Sequence, residues 1–285
     1  MKKNKWLPYL FVAPYLIHFV VFVAFPVCFS LFLTFHKWNI ISPVEFVGTA
    51  NYSRMFNDRM FWKAILNTLK FLVIHIPLQL IFALALAEFL NQKIKLQGFY
   101  RAAFFLPVIV SGVVVTILWQ QLLAFDSGII NRLLVNIGFG KVGWLVDPDI
   151  AMGSIAVMAT WKNVGLYVIL FLVGLQTVPP SYYEAAEIEG ASHWQKFRHI
   201  TLPLINPTIF MVVILSTIGG FSLFIEPYIM TGGGPLNSTL SSVLYIYKQA
   251  FQYYHMGYSA TLGFFFALLI LSVIIIQKKY IETND

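Results

Sequence analysis

Residues 179–203 read PPSYYEAAEIEGASHWQKFRHITLP and separate two long apolar runs of the chain. Ser181 with Glu184, and Ser192 with Gln195, have the spacing of a capping box, in which two side chains bond the free backbone N–H groups at a helix start. Gly190 lies between the two boxes and suits the left-handed backbone conformation that ends many helices. This stretch is therefore predicted to form two short helices joined by a tight turn.

The first of these short helices carries small and acidic side chains. Ala185 and Ala186 present almost no side chain, so another protein could approach the helix backbone closely. Glu184, Glu187 and Glu189 could engage basic groups on such a partner. Rigid docking to a partner is one interpretation, and a plain connecting loop in which Glu184 only caps its helix is the other.

The rest of the chain is dominated by apolar residues. Hydrophobic residues make up 59% of the 285 residues and charged residues only 11%, against about 25% charged residues in a typical soluble domain. A helix needs about 20 apolar residues to cross a membrane. We therefore predict an all-α integral membrane protein with six transmembrane helices, near residues 8–35, 65–90, 104–124, 152–176, 203–224 and 258–277.

Both ends of the chain are predicted to be cytoplasmic. The first apolar run extends from about Trp6 to Phe35, longer than the roughly 7–15 apolar residues of a cleaved signal peptide, so we expect a retained helix. Lysines and arginines are denser in the shorter loops on one side, as is typical of the cytoplasmic side. These basic residues are Lys2, Lys3, Lys5, Lys93, Lys95, Arg101, Lys196, Arg198, Lys278 and Lys279.

The predicted spans and loops divide the chain into two parts. Residues 1–64 would form the first transmembrane helix and an extracytoplasmic loop, and residues 65–280 would form a five-helix core. The core includes the cytoplasmic loop 177–203, which lies between transmembrane helices four and five.

Composition disfavours several classes of protein. The net charge of +7 comes from scattered basic residues, whereas nucleic-acid-binding segments carry dense basic blocks. Cys28 is the single cysteine, so one chain cannot form a disulfide or a thiolate metal site. Since no catalytic dyad or paired carboxylates occur in the apolar spans, neither an enzyme nor a metal site is predicted.

The run Glu184-Ala185-Ala186, followed by Gly190 and then by Ile200-x-Leu202-Pro203, resembles the EAA motif of binding-protein-dependent ABC importer permeases. Every signature position of that motif is present at the expected spacing. The resemblance implies the MetI-like fold of these permeases.

The similarity covers nearly the whole chain and is strongest to carbohydrate-uptake permeases related to the maltose and glycerol-phosphate importers. It is carried by Tyr9-Leu10-Phe11, Phe46-Val47-Gly48, Asn51-Tyr52, Phe105-Leu106-Pro107, Trp161-Lys162, Gly174-Leu175-Gln176, Thr231–Pro235 and Gly257-Tyr258. The resemblance implies a non-catalytic subunit of a sugar importer in the bacterial cytoplasmic membrane, forming half of the transport pathway. Glycerol phosphate, an amino acid or a peptide is the alternative cargo. A channel or intramembrane enzyme without an ATPase is the competing class.

The resemblance also implies partners. The cytoplasmic loop would be a coupling helix that inserts into a separate ATPase, through Glu184, Ala185, Ala186, Gly190, Ile200, Leu202 and Pro203. Because the chain has no Gly-x-x-x-x-Gly-Lys-Ser/Thr phosphate loop, ATP and magnesium would be bound by two partner ATPases and no cofactor by this chain. A second permease subunit forming a heterodimer, an extracytoplasmic solute-binding protein and membrane lipid complete the expected partners, without nucleic acid.

In the maltose-type relatives, the transmembrane sugar site draws on helix five and the start of helix four. Matching from the coupling motif places Asn163, Ser216, Gly219, Gly220 and Phe224 there. Glycines stand where the maltose permease pattern has a Phe and an Asn. One interpretation is that these residues line a wider cavity for another sugar. The other, which is preferred, is that they only pack against neighbouring helices while the partner subunit binds the sugar.

Two further groups of residues need an interpretation. The loop Gly233-Gly234-Pro235 resembles the family loop that approaches the docked binding protein, although a flexible turn explains it equally. Among ionisable residues in the spans, Glu88 and Lys162 are predicted to extend to the membrane surface. His18 and His75 are predicted to bond within the bundle as neutral groups.

Overall fold

A computed structural model describes residues 7–92 and 95–281 of the chain. Some basic residues that contribute to the predicted orientation lie outside the described residues, namely Lys2, Lys3, Lys5 and Lys93. The described α-helices are α1 (Leu7–Phe19), α2 (Phe25–Leu33), α3 (Ala50–Phe56), α4 (Arg59–Asn91), α5 (Gln97–Ile109), α6 (Gly112–Leu122), α7 (Ile129–Asn136), α8 (Ala151–Gln176), α9 (Pro180–Ile188), α10 (His193–Lys196), α11 (Leu202–Leu204), α12 (Asn206–Phe221), α13 (Ile225–Met230), α14 (Ser242–Tyr247) and α15 (Met256–Ile281).

Short π-helical and extended segments complete the described elements. The π-helical segments are Val20–Ala24, Phe197–Thr201 and Lys248–Gln252. The strands β1 (His36–Lys37) and β2 (Glu45–Phe46) pair antiparallel, with His36 opposite Phe46 and Lys37 opposite Glu45.

In the described part of the chain, five helical stretches are long and apolar enough to cross a membrane: Tyr9–Leu33, Arg59–Asn91, Ala151–Gln176, Asn206–Met230 and Met256–Lys279. A sixth results if α5 and α6 together count as one broken span. Each predicted apolar segment therefore lies on helical structure. The second span begins earlier than predicted, because α4 extends back to Arg59.

The third predicted span, residues 104–124, is not one continuous helix, and that prediction was wrong. α5 and α6 are bent by 96° with respect to each other. Between them, Val110 and Ser111 have ψ values of 143° and 127°, far from the helical value of about −42°. These two residues interrupt the helical hydrogen-bond ladder, a local break that apolar composition alone does not reveal.

The residues up to Phe61 form one compact unit with Tyr245–Leu268. Within it, the end of the first span is tied to the following loop, since Asn51 Nδ2 donates hydrogen bonds to Thr34 O (2.9 Å) and His36 O (3.0 Å). The backbone N–H of Met256, at the start of α15, donates to Trp38 O (3.0 Å).

Trp62–Leu244 and the residues from Leu269 onward form the second compact unit. Its central helix is α8, which has 61% of its most apolar window buried, against 28% for the corresponding window of α4 and 39% for that of Asn206–Met230. Side chains on α8 therefore face other helices in most directions. The apolar core of this unit includes Ala83, Ala87, Leu90, Val168, Phe171, Leu172, Leu175, Ile205 and Val212.

Candidate functional site: a coupling loop and a cavity among the spans

The predicted tight turn at Gly190 is present. Gly190 has φ +78°, a conformation that costs little only for glycine and, to a lesser degree, asparagine. Its N–H donates to Glu187 O (3.0 Å), and the N–H of Ala191 donates to Ala186 O (2.9 Å). These two bonds form the Schellman motif, which ends α9 and reverses the chain toward α10.

One predicted capping box is confirmed and the other was wrong. Ser192 caps α10, and the Gln195 side chain accepts the Ser192 N–H (2.7 Å). α9, however, has Pro179 as its N-cap and begins at Pro180. Proline suits the first helical position because its φ is already helical and its missing N–H has no partner there. Ser181 therefore lies inside the first turn and does not cap the helix.

Polar and apolar contacts brace the two short helices. Lys196 Nζ lies 2.6 Å from Glu187 Oε1, and this hydrogen bond and the lysine charge lower the pKa of the Glu187 carboxyl. The Tyr183 hydroxyl shares a hydrogen bond with Thr201 Oγ1 (2.9 Å). Tyr183 and Ile200 both pack against the apolar core of the second unit. The loop 177–203, called the coupling loop from here on, is therefore attached to that core through both Tyr183 and Ile200.

The predicted coupling residues differ in accessibility. Glu184, Ala185, Gly190 and Pro203 are exposed, whereas Ala186, Ile200 and Leu202 are half-buried. Each residue of α9 is at least partly exposed. The outer face of α9 thus offers a carboxylate and small side chains to a partner, while Ile200 holds the loop in place.

Four of the five predicted pathway residues line one cavity of about 270 Å³ in the second unit: Asn163, Ser216, Gly219 and Gly220. Walls of this central cavity also come from Phe71, His75, Lys162, Tyr167, Ser222 and Glu226. Ser216 is fully buried. Phe224 lies outside this lining and stacks on Tyr228, with ring centroids 5.4 Å apart.

The two adjacent glycines of α12 have different surroundings. A Cβ added at Gly219 would meet only the Tyr167 hydroxyl, at 3.9 Å. A Cβ added at Gly220 would collide with Leu72 of α4. Gly219 therefore leaves space in the cavity, whereas Gly220 permits close packing of two helices, a common use of small residues in membrane bundles.

Lys162 and Glu226 form an ion pair at the cavity wall, with Nζ 3.0 Å from Oε1 and side chains 15% and 11% exposed. The prediction that Lys162 extends to the membrane surface was therefore wrong, because an internal carboxylate pairs with it. Gly112, at the start of α6, lies against the same ammonium: a Cβ there would be 2.8 Å from Nζ. The pair joins α8 to the short helix α13.

His75 is buried beside this pair and shares a hydrogen bond between Nδ1 and Thr160 Oγ1 (2.8 Å). Its ring stacks on Phe71 at a centroid distance of 4.9 Å. Within residues 7–92 and 95–281, no group of three or more His, Cys, Asp or Glu side chains could hold a metal ion. The polar groups of the cavity are therefore hydroxyl, amide, imidazole and one ion pair.

Comparison with known proteins places these features in a family. The model of the "binding-protein-dependent transport system inner membrane component" matches residues 79–280, which include the loop 177–203 and all of the central cavity's lining except Phe71 and His75. The chain belongs to this family.

Relatives and a solved structure agree with this membership. The chain is 37% identical to the lactose transport system permease protein LacF of Rhizobium radiobacter, over 96% of this chain and 92% of LacF. It is 35% identical to the arabinooligosaccharides transport system permease protein AraP of Bacillus subtilis, over 97% of this chain and 88% of AraP. The permease is therefore a multi-pass protein of the bacterial plasma membrane.

The fold is also that of a solved transporter chain. A bacterial alginate ABC transporter, crystallised in complex with an alginate pentasaccharide-bound periplasmic protein, contains a chain that superposes with a TM-score of 0.82. The two chains are 24% identical, and the match covers 99% of the permease and 98% of that chain. The predicted MetI-like importer fold is confirmed at this level.

The loop around Gly233, Gly234 and Pro235 is densely hydrogen-bonded. The Thr231 and Thr239 hydroxyl oxygens lie 2.6 Å apart, and Thr239 Oγ1 donates to Gly234 O (2.7 Å). On the next residues, Lys63 Nζ donates to Leu236 O (2.7 Å) and Asn67 Nδ2 to Asn237 O (2.8 Å). These bonds hold the permease's loop against the start of α4 and give it a defined shape.

Sequence reasoning missed Glu226, Tyr167 and Phe71. Glu226 had a usable signal, because an acidic residue inside the apolar stretch 203–230 is a candidate for a buried partner of a membrane lysine. Tyr167 and Phe71 had none, since one aromatic residue in a chain with 17% aromatics looks like any other.

Proposed function

We propose that this permease is the transmembrane subunit of an ATP-driven importer for mono- or oligosaccharides and that it forms half of the pathway. The observation that carries this proposal is the exposed, rigidly attached helix α9 within a chain of the importer family. A helix that emerges from the spans, ends in a Schellman motif and is attached to the core can transmit the movement of a bound partner to the spans. The names of relatives such as LacF and AraP favour a carbohydrate over glycerol phosphate, an amino acid or a peptide.

The central cavity supports a sugar as the cargo. Sugars are bound by aromatic faces together with hydroxyl and amide groups, and Phe71, Tyr167, Asn163 and Ser216 supply both kinds of surface. The volume of about 270 Å³ is slightly below the roughly 300–1,000 Å³ of complete small-molecule sites. A cavity shared with a second permease subunit, in a heterodimer, accounts for this size.

The proposed arrangement in the membrane has six spans, with α5 and α6 together as the third. Both termini then lie in the cytoplasm, and α9 lies on the same side. In that orientation Gly233, Gly234 and Pro235 face outward. The fixed shape of their loop suits contact with an extracytoplasmic solute-binding protein.

The energy source is proposed to lie in two partner ATPases that bind ATP and magnesium. Glu184 is exposed and would meet a basic group in a cleft of the ATPase. Ala185 and Ala186 allow close approach, and Gly190, Ile200, Leu202 and Pro203 set the position of the helix. No catalytic step and no cofactor is assigned to this chain.

The coupling role is tested by reversing one charge on α9. Glu184→Lys should abolish co-purification of the ATPase and sugar uptake, while the permease still inserts into the membrane. Glu45→Lys is the matched control, because Glu45 is also exposed and acidic but lies outside the loop 177–203. Equal ATPase retention and equal uptake by the two variants would contradict the proposed coupling contact.

A further inference from the structure

The first compact unit contains a second cavity that the proposed transport cycle does not use. It has a volume of about 580 Å³ and is formed by residues that follow the first span and residues around the start of the last. Its floor depends on a close backbone approach: a Cβ at Gly257 would collide with His36 O. The Met256 N–H to Trp38 O bond fixes the same contact.

Two cationic side chains line this cavity, Lys37 and Arg54. The Arg54 guanidinium lies over the Tyr258 ring, 4.0 Å from its centroid, and Arg54 Nη2 is 3.4 Å from His255 Nδ1. Within the described part of the chain, neither cation has a carboxylate within ion-pair distance. Lys37 is opposite Glu45 in the strand pair and still makes no ion pair with it.

The carboxyl group of Asp58 lies near the cavity but is not part of its lining. The described lining residues include no aspartate or glutamate. Asp58 Oδ2 accepts hydrogen bonds from the hydroxyls of Tyr245 (2.6 Å) and Tyr258 (2.5 Å). The described lining of the cavity therefore carries two cationic side chains and no carboxylate.

The position of the cavity relative to the spans indicates the ligand. The first span ends at Leu33 and the last begins at Met256, so Lys37 and Tyr254 lie within a few residues of the apolar segments. Trp38, Tyr253 and Tyr254 line the cavity, and such aromatic residues are enriched at the membrane–water interface. On the first span, Phe29 and Phe32 are 38% and 47% exposed, and the Phe29 ring packs edge-on against Trp38 of the cavity lining, which leaves apolar surface for acyl chains.

We propose that this cavity binds the phosphate of an anionic phospholipid headgroup, with Arg54 and Lys37 as its ligands and the aromatic residues around the glycerol region. Arginine suits phosphate because its planar fork donates two hydrogen bonds at once. Basic residues next to a membrane-spanning segment attract anionic phospholipid headgroups. A soluble acidic protein is the less favoured occupant, because the site opens beside apolar, lipid-facing helix surface. The site depends on membrane insertion alone and is independent of the proposed cargo and coupling.

Lipid binding to the purified full-length chain tests the proposal directly. Phosphatidylglycerol and phosphatidylcholine with identical acyl chains are titrated and followed by native mass spectrometry. Each basic residue near an anionic lipid surface contributes about fivefold in affinity, so we expect phosphatidylglycerol to be preferred by about 25-fold. The Lys37→Gln/Arg54→Gln variant should lose this preference. Lys37→Arg/Arg54→Lys, which keeps both charges, should retain most of it.

Two controls distinguish the lipid from a general effect of positive charge and from a free phosphate compound. Arg132→Gln removes an exposed cation outside this cavity and should leave the preference unchanged. Soluble glycerol phosphate, added at the lipid's concentration, should not displace phosphatidylglycerol. Equal affinity of the wild type for both lipids, an unaltered preference in the double glutamine variant, or displacement by glycerol phosphate would each overturn the proposal.

Discussion

Lys162 Nζ lies 3.0 Å from Glu226 Oε1 across 64 positions of sequence, and both side chains are largely withdrawn from solvent. The pair joins α8 to α13 at the wall of the central cavity. Removing one partner leaves the other charge buried and unpaired. Lys162→Met should therefore destabilise the folded permease by about 3–5 kcal/mol, measured by thermal unfolding in detergent.

The matched control for this prediction is Lys141→Met. Lys141 pairs with Asp126 at 2.8 Å, but the two side chains are 42% and 82% exposed, and an exposed pair contributes about 0–1 kcal/mol. Replacing both cavity partners, with Lys162→Met and Glu226→Leu, should recover most of the lost stability. A melting temperature of Lys162→Met equal to that of Lys141→Met would show that the buried pair does not contribute.

Gly219 and Gly220 provide a second prediction because they are adjacent and differ in surroundings. Gly220→Ala should destabilise the permease by about 1–3 kcal/mol, the usual cost of overpacking, since its Cβ meets Leu72. Gly219→Ala should leave stability unchanged or raise it, because the space is open. Gly219→Leu should keep the protein folded and reduce sugar uptake strongly by filling the cavity. Normal uptake by a folded Gly219→Leu variant would remove this cavity from the pathway.

Variants at Gly190 can show whether the loop requires the left-handed turn or the absence of a side chain at this position. Its φ of +78° costs an ordinary L-residue about 1–2 kcal/mol, whereas asparagine tolerates it better. Gly190→Leu should therefore abolish ATPase co-purification and uptake, and Gly190→Asn should retain both. Loss in both variants to the same extent would show that the absence of a side chain, and not the left-handed turn, is required.

The hydrogen bonds to the Asp58 carboxylate predict that the stability of the first unit depends on pH. Burial raises the pKa of its carboxyl, but hydrogen bonds from Tyr245, Tyr258 and the backbone of Phe61 and Met60 more than offset this, so the pKa is lowered from its ordinary value of 3.8. A lowered pKa means a stabilising contribution that is complete above that ordinary value and lost as the pH falls through the lowered one.

The measurement compares melting temperatures of the wild type and Asp58→Asn from pH 6 to pH 3. The stability advantage of the wild type should be constant down to about pH 4 and then shrink. Other carboxylates titrate equally in both proteins, so only the difference is diagnostic. A difference independent of pH throughout this range would contradict the assigned hydrogen bonds.

The parts of the fold that could be predicted depend on local signals. Apolar length located the spans, and the turn at Gly190 and the Ser192 cap followed from spacing of a few residues. The error at Ser181 came from a competing local signal, since α9 begins at Pro180, two residues before the start that a Ser181 cap requires. The bend at Val110 and Ser111 follows Pro107 by three residues, but neither its exact position nor its angle of 96° is encoded by an apolar run.

The candidate site was only partly predictable because it depends on distant contacts. The pairing of Lys162 with Glu226 requires α13 to turn back toward α8, and no local pattern encodes that path. Phe224 was expected in the pathway by matching from the coupling motif to the maltose-type relatives. α12 ends at Phe221, and Phe224 has a φ of −142° before α13 begins, so Phe224 does not continue the helix face that carries Ser216 and Gly219.

Sugar uptake in cells lacking this permease tests the proposed function most directly. A deletion strain is offered a panel of labelled mono- and oligosaccharides, with wild-type, Gly190→Leu or Gly190→Asn permease restored. Uptake of at least one sugar should be lost on deletion and recovered with the wild type and Gly190→Asn but not with Gly190→Leu. Unchanged uptake of every sugar in the deletion strain, or full recovery with Gly190→Leu, would contradict a coupled sugar importer.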